Sequence, residues 1–337
     1  MRRRRTANAI RVEIRSGAFS MLQERLREIA RYSYGAEDLS HAMTLLLASD
    51  YGGEHHKARY RSFTFVLVDQ VSYAYWKVDQ ARWREQYLPD GRRLSYKGLG
   101  DVKKRRALTP FLALANSLRG LIVSVLVDRS LPPLVEMDRD TEPVDQAQSG
   151  RSDDEHKLAM ASLRWRADVW NKVLTVATAV GVVLSTFSHE GQHLVWITDD
   201  DVIAPNENGL RDFVTVAGYV IGGLLPHGLG HLRMGAASVT DDGSKSFEDL
   251  TALADLVSGA LAEEFARYRD SGVTLSTNIL APAPAAAPYK TREIMNWYSE
   301  SRRRFERHTF LVDPGESYPA LDKITLRTLR FHGTDSL

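Results

Sequence analysis

Apolar and polar positions divide the chain into alternating elements. From Phe19 to Tyr34, Met21, Leu22, Leu26 and Ile29 recur at helical spacing among charges, so an amphipathic helix is expected. A second, short helix is expected over Glu37–Ala48. Ser62–Asp69 (SFTFVLVD) is β-branched and aromatic with no breaker and predicts a strand; the alternating Val71–Val78 predicts its hairpin partner. Pro89-Asp90-Gly91 marks a turn. Lys103–Leu118 has helical periodicity with Pro110 as a candidate kink, and Leu121–Asp128 (LIVSVLVD) predicts a third strand. After the Pro- and acid-rich stretch Leu131–Gly150, Asp153–Phe187 reads as helical and His193–Thr198 as a fourth strand. Asn208–Leu225 then reads as a helix, His231–Val239 as a fifth strand and Ser246–Arg269 as a strongly periodic helix. Ala281–Pro288 (APAPAAAP) reads as a linker and 290–309 as a basic helix.

Alternating β and α in the second half implies parallel strands, and the hairpin in the first half implies an antiparallel portion. The expected class is therefore α/β, a mixed five-stranded sheet with helices on both faces. The expected organisation is a helical basic N-terminal extension over 1–60, a core over 61–270, and a linker plus basic helical C-terminal extension over 271–337.

The 337 residues contain no cysteine, which excludes a disulfide framework, Cys-based zinc and iron–sulfur sites and a thiol nucleophile. Arg11, Glu13 and Arg15 interrupt any apolar segment after Arg2–Arg5, so no secretory signal is read. The longest apolar stretch, Val173–Phe187, is shorter than the roughly 20 residues that span a bilayer and is expected to be a core helix. A cytoplasmic protein with no membrane segment is expected.

The formal charge of +1 hides strong asymmetry. Nine Arg fall in residues 1–35 against three Glu. Lys97, Lys103, Lys104, Arg105 and Arg106 form a second basic cluster, and Arg302, Arg303, Arg304 and Arg307 a third. Eight acids fall between Glu136 and Glu155. Each basic cluster alone reads as a solvated face; together they favour a polyanionic ligand, and arginine suits bidentate phosphate contact. Lys103, Lys104, Arg105, Arg106, Arg302, Arg303 and Arg304 are thus candidate nucleic-acid contacts. Tyr73, Tyr75, Trp76 and Trp83 could stack on bases but read first as packing residues.

Asp69 and Asp199 close two expected strands, and Asp255 lies beside the apolar seam Leu250, Leu253, Ala254, Val257 and Leu261 of the last core helix. A carboxylate so placed needs a cation or hydrogen-bond partners. An arginine is one answer. The sharper one is a metal shared with Asp69 and Asp199, and oxygen-only ligation suits Mg²⁺ or Mn²⁺. Two such ions can drive phosphodiester cleavage.

Val195-Trp196-Ile197-Thr198-Asp199 resembles the strand-and-Asp element of RNase H-like nucleases. Phe247–Leu261 (FEDLTALADLVSGAL) resembles the final helix of the bacterial DUF3800 proteins, patterned L-x-x-A-D-L-v-x-G. Ser95-Tyr96-Lys97-Gly98-Leu99 with the basic helix and strand after it resembles that family's central lysine element. The resemblance covers about 62–268. It implies an RNase H-like, metal-dependent nuclease with Asp69, Asp199 and Asp255 as ligands and Lys97 as a site residue; a role in bacterial defence is plausible from it alone. Gln70 stands where the family has a carboxylate after its first-strand Asp, and Asp200 or Asp201 is the expected substitute. The extensions 1–60 and 271–337 have no counterpart and are expected to meet nucleic acid, a partner protein or a second copy.

His189-Glu190-Gly191-Gln192-His193 matches H-E-x-x-H, which on a helix gives two His ligands for zinc and a Glu general base. Gly191 and the strand-like residues after His193 argue against a helix there. A zinc metallopeptidase using His189, Glu190 and His193, and a catalytically inactive nucleic-acid-binding subunit, are the alternatives. His227 and His231 repeat the spacing within a Gly-rich segment that reads as a loop. Either His pair could also lie near the carboxylates and protonate a leaving group.

Overall fold

The computed structural model describes residues 12–13, 17–53, 58–137, 158, 161–198, 202–236, 247–270, 279–280, 287–300, 302–314 and 324–331. Its strands are β1 (Val12–Glu13), β2 (Thr44–Gly52), β3 (Tyr60–Asp69), β4 (Gly120–Asp128), β5 (Glu136–Met137), β6 (His193–Thr198), β7 (His231–Ala236), β8 (Ile279–Leu280), β9 (Phe305–Pro314) and β10 (Ile324–Phe331). Its longer helices are α1 (Ala18–Ala30), α2 (Tyr34–Ser40), α3 (Gln70–Tyr87), α4 (Val102–Ala115), α5 (Ala167–Phe187), α6 (Glu207–Leu224), α7 (Glu248–Asp270) and α8 (Tyr289–Ser299).

β1 and β5 form a small pair, and the other strands make one mixed sheet of eight strands, not the expected five, in the order β7-β6-β2-β3-β4-β9-β10-β8. β3 is antiparallel to β2 and β4, while β6 is parallel to β2, β7 to β6 and β9 to β4. β2, β4, β6, β7 and β9 therefore end on the same edge, here the carboxyl edge, and β3 ends on the other.

The sheet separates two cores. One face packs under α1, α5 and α6 through residues such as Leu22, Leu45, Leu47, Val180, Trp196 and Phe213. The other packs under α3, α4, α7 and α8 through Leu46, Ala48, Trp76, Phe111, Val257 and Tyr298. Strands covered on both faces read as unbroken apolar runs rather than alternation. α5 is buried almost all round; it is long and apolar enough to cross a membrane by length and composition, but 72% of that window lies inside the protein. The apolar stretch Val173–Phe187 forms the greater part of this helix, and its expected placement in the core stands.

Three expected elements change identity. Val71–Val78 belongs to α3 rather than a hairpin strand: the Asp69 carboxylate caps the helix by accepting from Ser72 N at 2.8 Å, and Tyr73, Trp76 and Trp83 are buried at helical spacing. The helix expected over Glu37–Ala48 is α2 followed by β2, a central strand of the sheet. The basic helix expected over 290–309 is α8 followed by β9.

These changes alter the domain boundaries too. A break at residue 60 cuts β2 away from its ladder partners β3 and β6, and 271–337 supplies β9 and β10 to the same sheet rather than an appended extension. Residues 281–286 of the expected linker lie outside the described residues.

Candidate active site

The strand ladders fix where each carboxylate falls. Asp50 in β2 faces Thr64, whereas Asp69 at the end of β3 faces Leu45. Five residues of strand separate those rungs, about 17 Å. Asp69 therefore lies on the amino edge, where it caps α3, and cannot share an ion with a carboxylate at the carboxyl edge. The expected Asp69 ligand is corrected on that ground.

Asp50 occupies the position that Asp69 was expected to hold. It is 7% exposed and lies two residues before the end of β2. Ser49 pairs with Thr198, the last residue of β6. Asp199 follows Thr198 in the sequence; Asp199 and Asp200 lie outside the described residues. β2 continues to β3 on one side of the sheet and neighbours β6, reached by a crossover, on the other. The crevice between the ends of β2 and β6 is thus a topological switch point, where open α/β sheets commonly bind ligands.

α7 brings the third carboxylate. It runs from the amino edge, where Phe247 stacks on Tyr73 at 5.5 Å, to the carboxyl edge, where Phe265 meets Tyr60 at 5.7 Å. A Cβ added at Gly52 would stand 2.7 Å from Ser258 Oγ, so helix and strand touch there. Asp255 is one turn back, about 4.5 Å along the helix, and Asp50 is two residues back, about 6.8 Å along the strand. Strand alternation aims Asp50 to the same face as Leu46 and Ala48, the face that α7 covers. Asp50 and Asp255 are therefore nearly level on one side of the sheet.

The Asp255 Oδ2 accepts the Tyr96 backbone N–H at 2.6 Å. Lys97 follows Tyr96 and is exposed at the start of a short 3-10 turn, Lys97–Gly100. The lysine element and the helix motif, far apart in sequence, thus meet through Tyr96.

β4 and β9 also end in acids, but these are bound internally. Asp128 is held by Arg59 Nε at 2.7 Å and by Ser130 N at 2.9 Å. Asp313 accepts from Thr325 Oγ1 at 2.6 Å and from Arg327. The 2.7 Å ion pair with Asp128 places the Arg59 guanidinium at this edge, and the hydrogen bond to that carboxylate raises its pKa. Exposed Arg129 adjoins it, its backbone N–H donating to Arg59 O at 2.8 Å.

The expected basic clusters separate. α4 leads into β4 at the amino edge, so its first turn, with Lys103, Lys104, Arg105 and Arg106, starts at the opposite end, roughly 20 Å away. Asp101 caps it by accepting from Lys103 N at 2.8 Å and Lys104 N at 3.2 Å. Arg302, Arg303 and Arg304 precede β9 and lie on the amino edge, far from Asp50. Arg303 stacks on Tyr34 at 3.8 Å, Arg304 meets Asp38 at 3.8 Å and Arg302 meets Glu300 at 3.6 Å. Of the four aromatics considered for base stacking, Tyr73, Trp76 and Trp83 are buried and Tyr75 is exposed.

The H-E-x-x-H segment is not helical. α5 ends at Phe187, Gly191 has φ +80° and His193 begins β6. Gln192 Nε2 donates to Leu39 O at 2.8 Å and Ala42 O at 2.6 Å, fixing the turn. The His193 ring stacks on His231 at 5.0 Å. This geometry does not present His189, Glu190 and His193 as a zinc helix does. Both His pairs lie on the amino edge, so neither serves the carboxyl-edge acids, as one expectation had it. Among the described residues, no group of three or more His, Asp or Glu is placed to share a metal ion.

The sequence route missed Asp50 and Arg59. The available signal at Asp50 was Thr44–Ala48, a strand-length apolar run leading through Ser49-Asp50-Tyr51 into the breaker Gly52-Gly53. No protein-family model matches the chain, and no curated protein matches it.

Proposed function

We propose that the chain is a metal-dependent nuclease with an RNase H-like core, hydrolysing phosphodiester bonds of DNA or RNA at the carboxyl edge of β2 and β6. The observation that carries this reading is the position of Asp50, buried beside the end of β6, with Asp255 delivered to the same side by α7. The strand order is compatible with it: β4, β3 and β2 form an antiparallel meander, and β6 and β7 are added in parallel beside β2. The DUF3800 likeness at Asp255 and Lys97 points the same way.

Asp50, Asp199 and Asp255 would hold Mg²⁺ or Mn²⁺, with Asp200 as a further oxygen ligand. The donor set fits a hard cation: carboxylates only, with no thiolate in the chain. When bound, the metal would lower the pKa of a water and stabilise the leaving oxygen. Lys97 contacts the scissile phosphate, and exposed Arg129 neutralises a phosphate beside it, which supplies affinity without base specificity. The first turn of α4 extends this cationic surface.

Wild-type protein and Asp50→Asn are compared on single- and double-stranded DNA and RNA with Mg²⁺ or Mn²⁺. Cleavage by the wild type and a loss of at least about 100-fold in the variant, with unchanged thermal stability, is expected. Equal cleavage by both refutes the site.

A further inference from the structure

We infer that Tyr96 is a positioning residue for Asp255, and that α8 completes the candidate active site through it. This inference rests on the nuclease reading and specifies how its helix-borne ligand is held.

Asp255 is fixed by a backbone donor, so its geometry depends on what fixes that backbone. Tyr96 is 7% exposed, and its ring lies against Gly259, one turn beyond Asp255 on α7. A Cβ at Gly259 would stand 2.4 Å from two ring carbons, so no larger residue fits while the ring stays in place. The Tyr96 hydroxyl donates to Glu263 Oε2 at 2.5 Å. With its one proton committed there, it accepts from Thr291 Oγ1 at 2.8 Å.

Lys290 closes the arrangement. Its Nζ lies 3.9 Å from the Tyr96 ring centroid and 3.5 Å from Glu263 Oε2. Tyr96 is thus held by Gly259 and Glu263 on α7 and by Lys290 and Thr291 on α8, while its N–H holds Asp255. Oδ2 is the oxygen held by Tyr96. Supporting residues of this kind restrict a ligand to its binding rotamer, and their loss typically costs about 10- to 100-fold in metal affinity. Lys97 inherits the same anchorage from its neighbour.

The test uses the full chain. Free Mn²⁺ is measured by electron paramagnetic resonance during titration of wild type, Asp255→Asn, Gly259→Ala, Tyr96→Phe and Thr291→Val. The Mn²⁺ dependence of cleavage is measured in parallel, and circular dichroism checks folding. Gly259→Ala is expected to weaken Mn²⁺ binding about 10-fold or more, and Tyr96→Phe and Thr291→Val by about 3-fold to 10-fold. Saturating Mn²⁺ is expected to restore most of kcat in Tyr96→Phe, which a general loss of fold would not allow. If Asp255→Asn loses Mn²⁺ while the other folded variants bind as wild type does, the positioning role is wrong and the site reading stands. If Asp255→Asn binds Mn²⁺ as wild type does, or wild type binds none, the site reading fails and the inference with it. Should Gly259→Ala not fold, the two hydroxyl variants decide.

Discussion

Asp50 and Asp69 lie on neighbouring strands of one ladder but at opposite ends of it: Asp50 faces Thr64, and Asp69 faces Leu45. Only one of them can serve the crevice between β2 and β6. Asp69→Asn is therefore expected to retain cleavage within about 3-fold, because Asn caps a helix nearly as well as Asp. Asp69→Ala removes the cap on α3 and is expected to cost about 0.5–2 kcal/mol of stability, again without abolishing cleavage. Denaturant unfolding and rate assays on the two variants check both points. Loss of activity in a folded Asp69→Asn would return that residue to the site.

The arginines divide in the same way. Arg129 lies at the carboxyl edge, whereas Arg303 is occupied on Tyr34 at the amino edge. Arg129→Ala is expected to reduce the slope of log binding constant against log salt by about 1, as expected for one lost phosphate contact. Arg303→Ala is expected to leave that slope unchanged and to cost at most about 1 kcal/mol of stability from the lost stacking. Salt-dependent fluorescence anisotropy with a labelled oligonucleotide separates them, and a reversal would place the nucleic acid on the other edge.

Acid sensitivity is expected at Glu306. Burial works against its charge, but the His308 imidazole, the Gly35 N–H at 3.1 Å and the Ser33 hydroxyl at 2.9 Å outweigh it and hold the carboxyl below its usual range. A depressed folded pKa adds stability that is fully present above the unfolded value, about 4.3, and is lost as pH falls through the folded value. Glu306→Gln is expected to cost about 1–2 kcal/mol at pH 7 and to flatten the decline below about pH 4.3. Melting temperatures of both proteins between pH 3 and pH 7 provide the check; parallel curves would remove Glu306 from the account.

The turn containing His189 and His193 predicts no zinc function. Purified protein is expected to carry no stoichiometric zinc, and His193→Ala is expected to leave any cleavage activity unaltered. One zinc per chain, lost in His193→Ala, would revive the peptidase reading.

The sequence made β3, β4, β6, α6 and α7 legible because their patterns are long and uninterrupted. It also marked Asp255 and Lys97 as residues to follow. The first half of β2 reads as helix because Leu45, Leu46, Leu47 and Ala48 favour helices, and a strand buried on both faces has no alternation to oppose them. The first half of α3 reads as a strand because Val71, Tyr73 and Tyr75 alternate with small and polar residues, while the Asp69 cap that starts the helix has the pattern of a strand-end carboxylate. Those two exchanges moved the first-strand carboxylate from Asp50 to Asp69. β9 was hidden within an Arg-rich stretch. Arg307 is 8% exposed there and donates to Glu300 O at 2.7 Å and Asn116 Oδ1 at 2.6 Å, a local role that a count of positive charges cannot reveal.

The most direct measurement is a crystal structure of the full chain soaked in Mn²⁺, with anomalous data locating the ion. An anomalous peak is expected at the carboxyl edge of β2 and β6, ligated by Asp50, Asp199 and Asp255, with Asp69 remote. A peak at His189 and His193, or full Mn²⁺ occupancy at a site without Asp50, would contradict it.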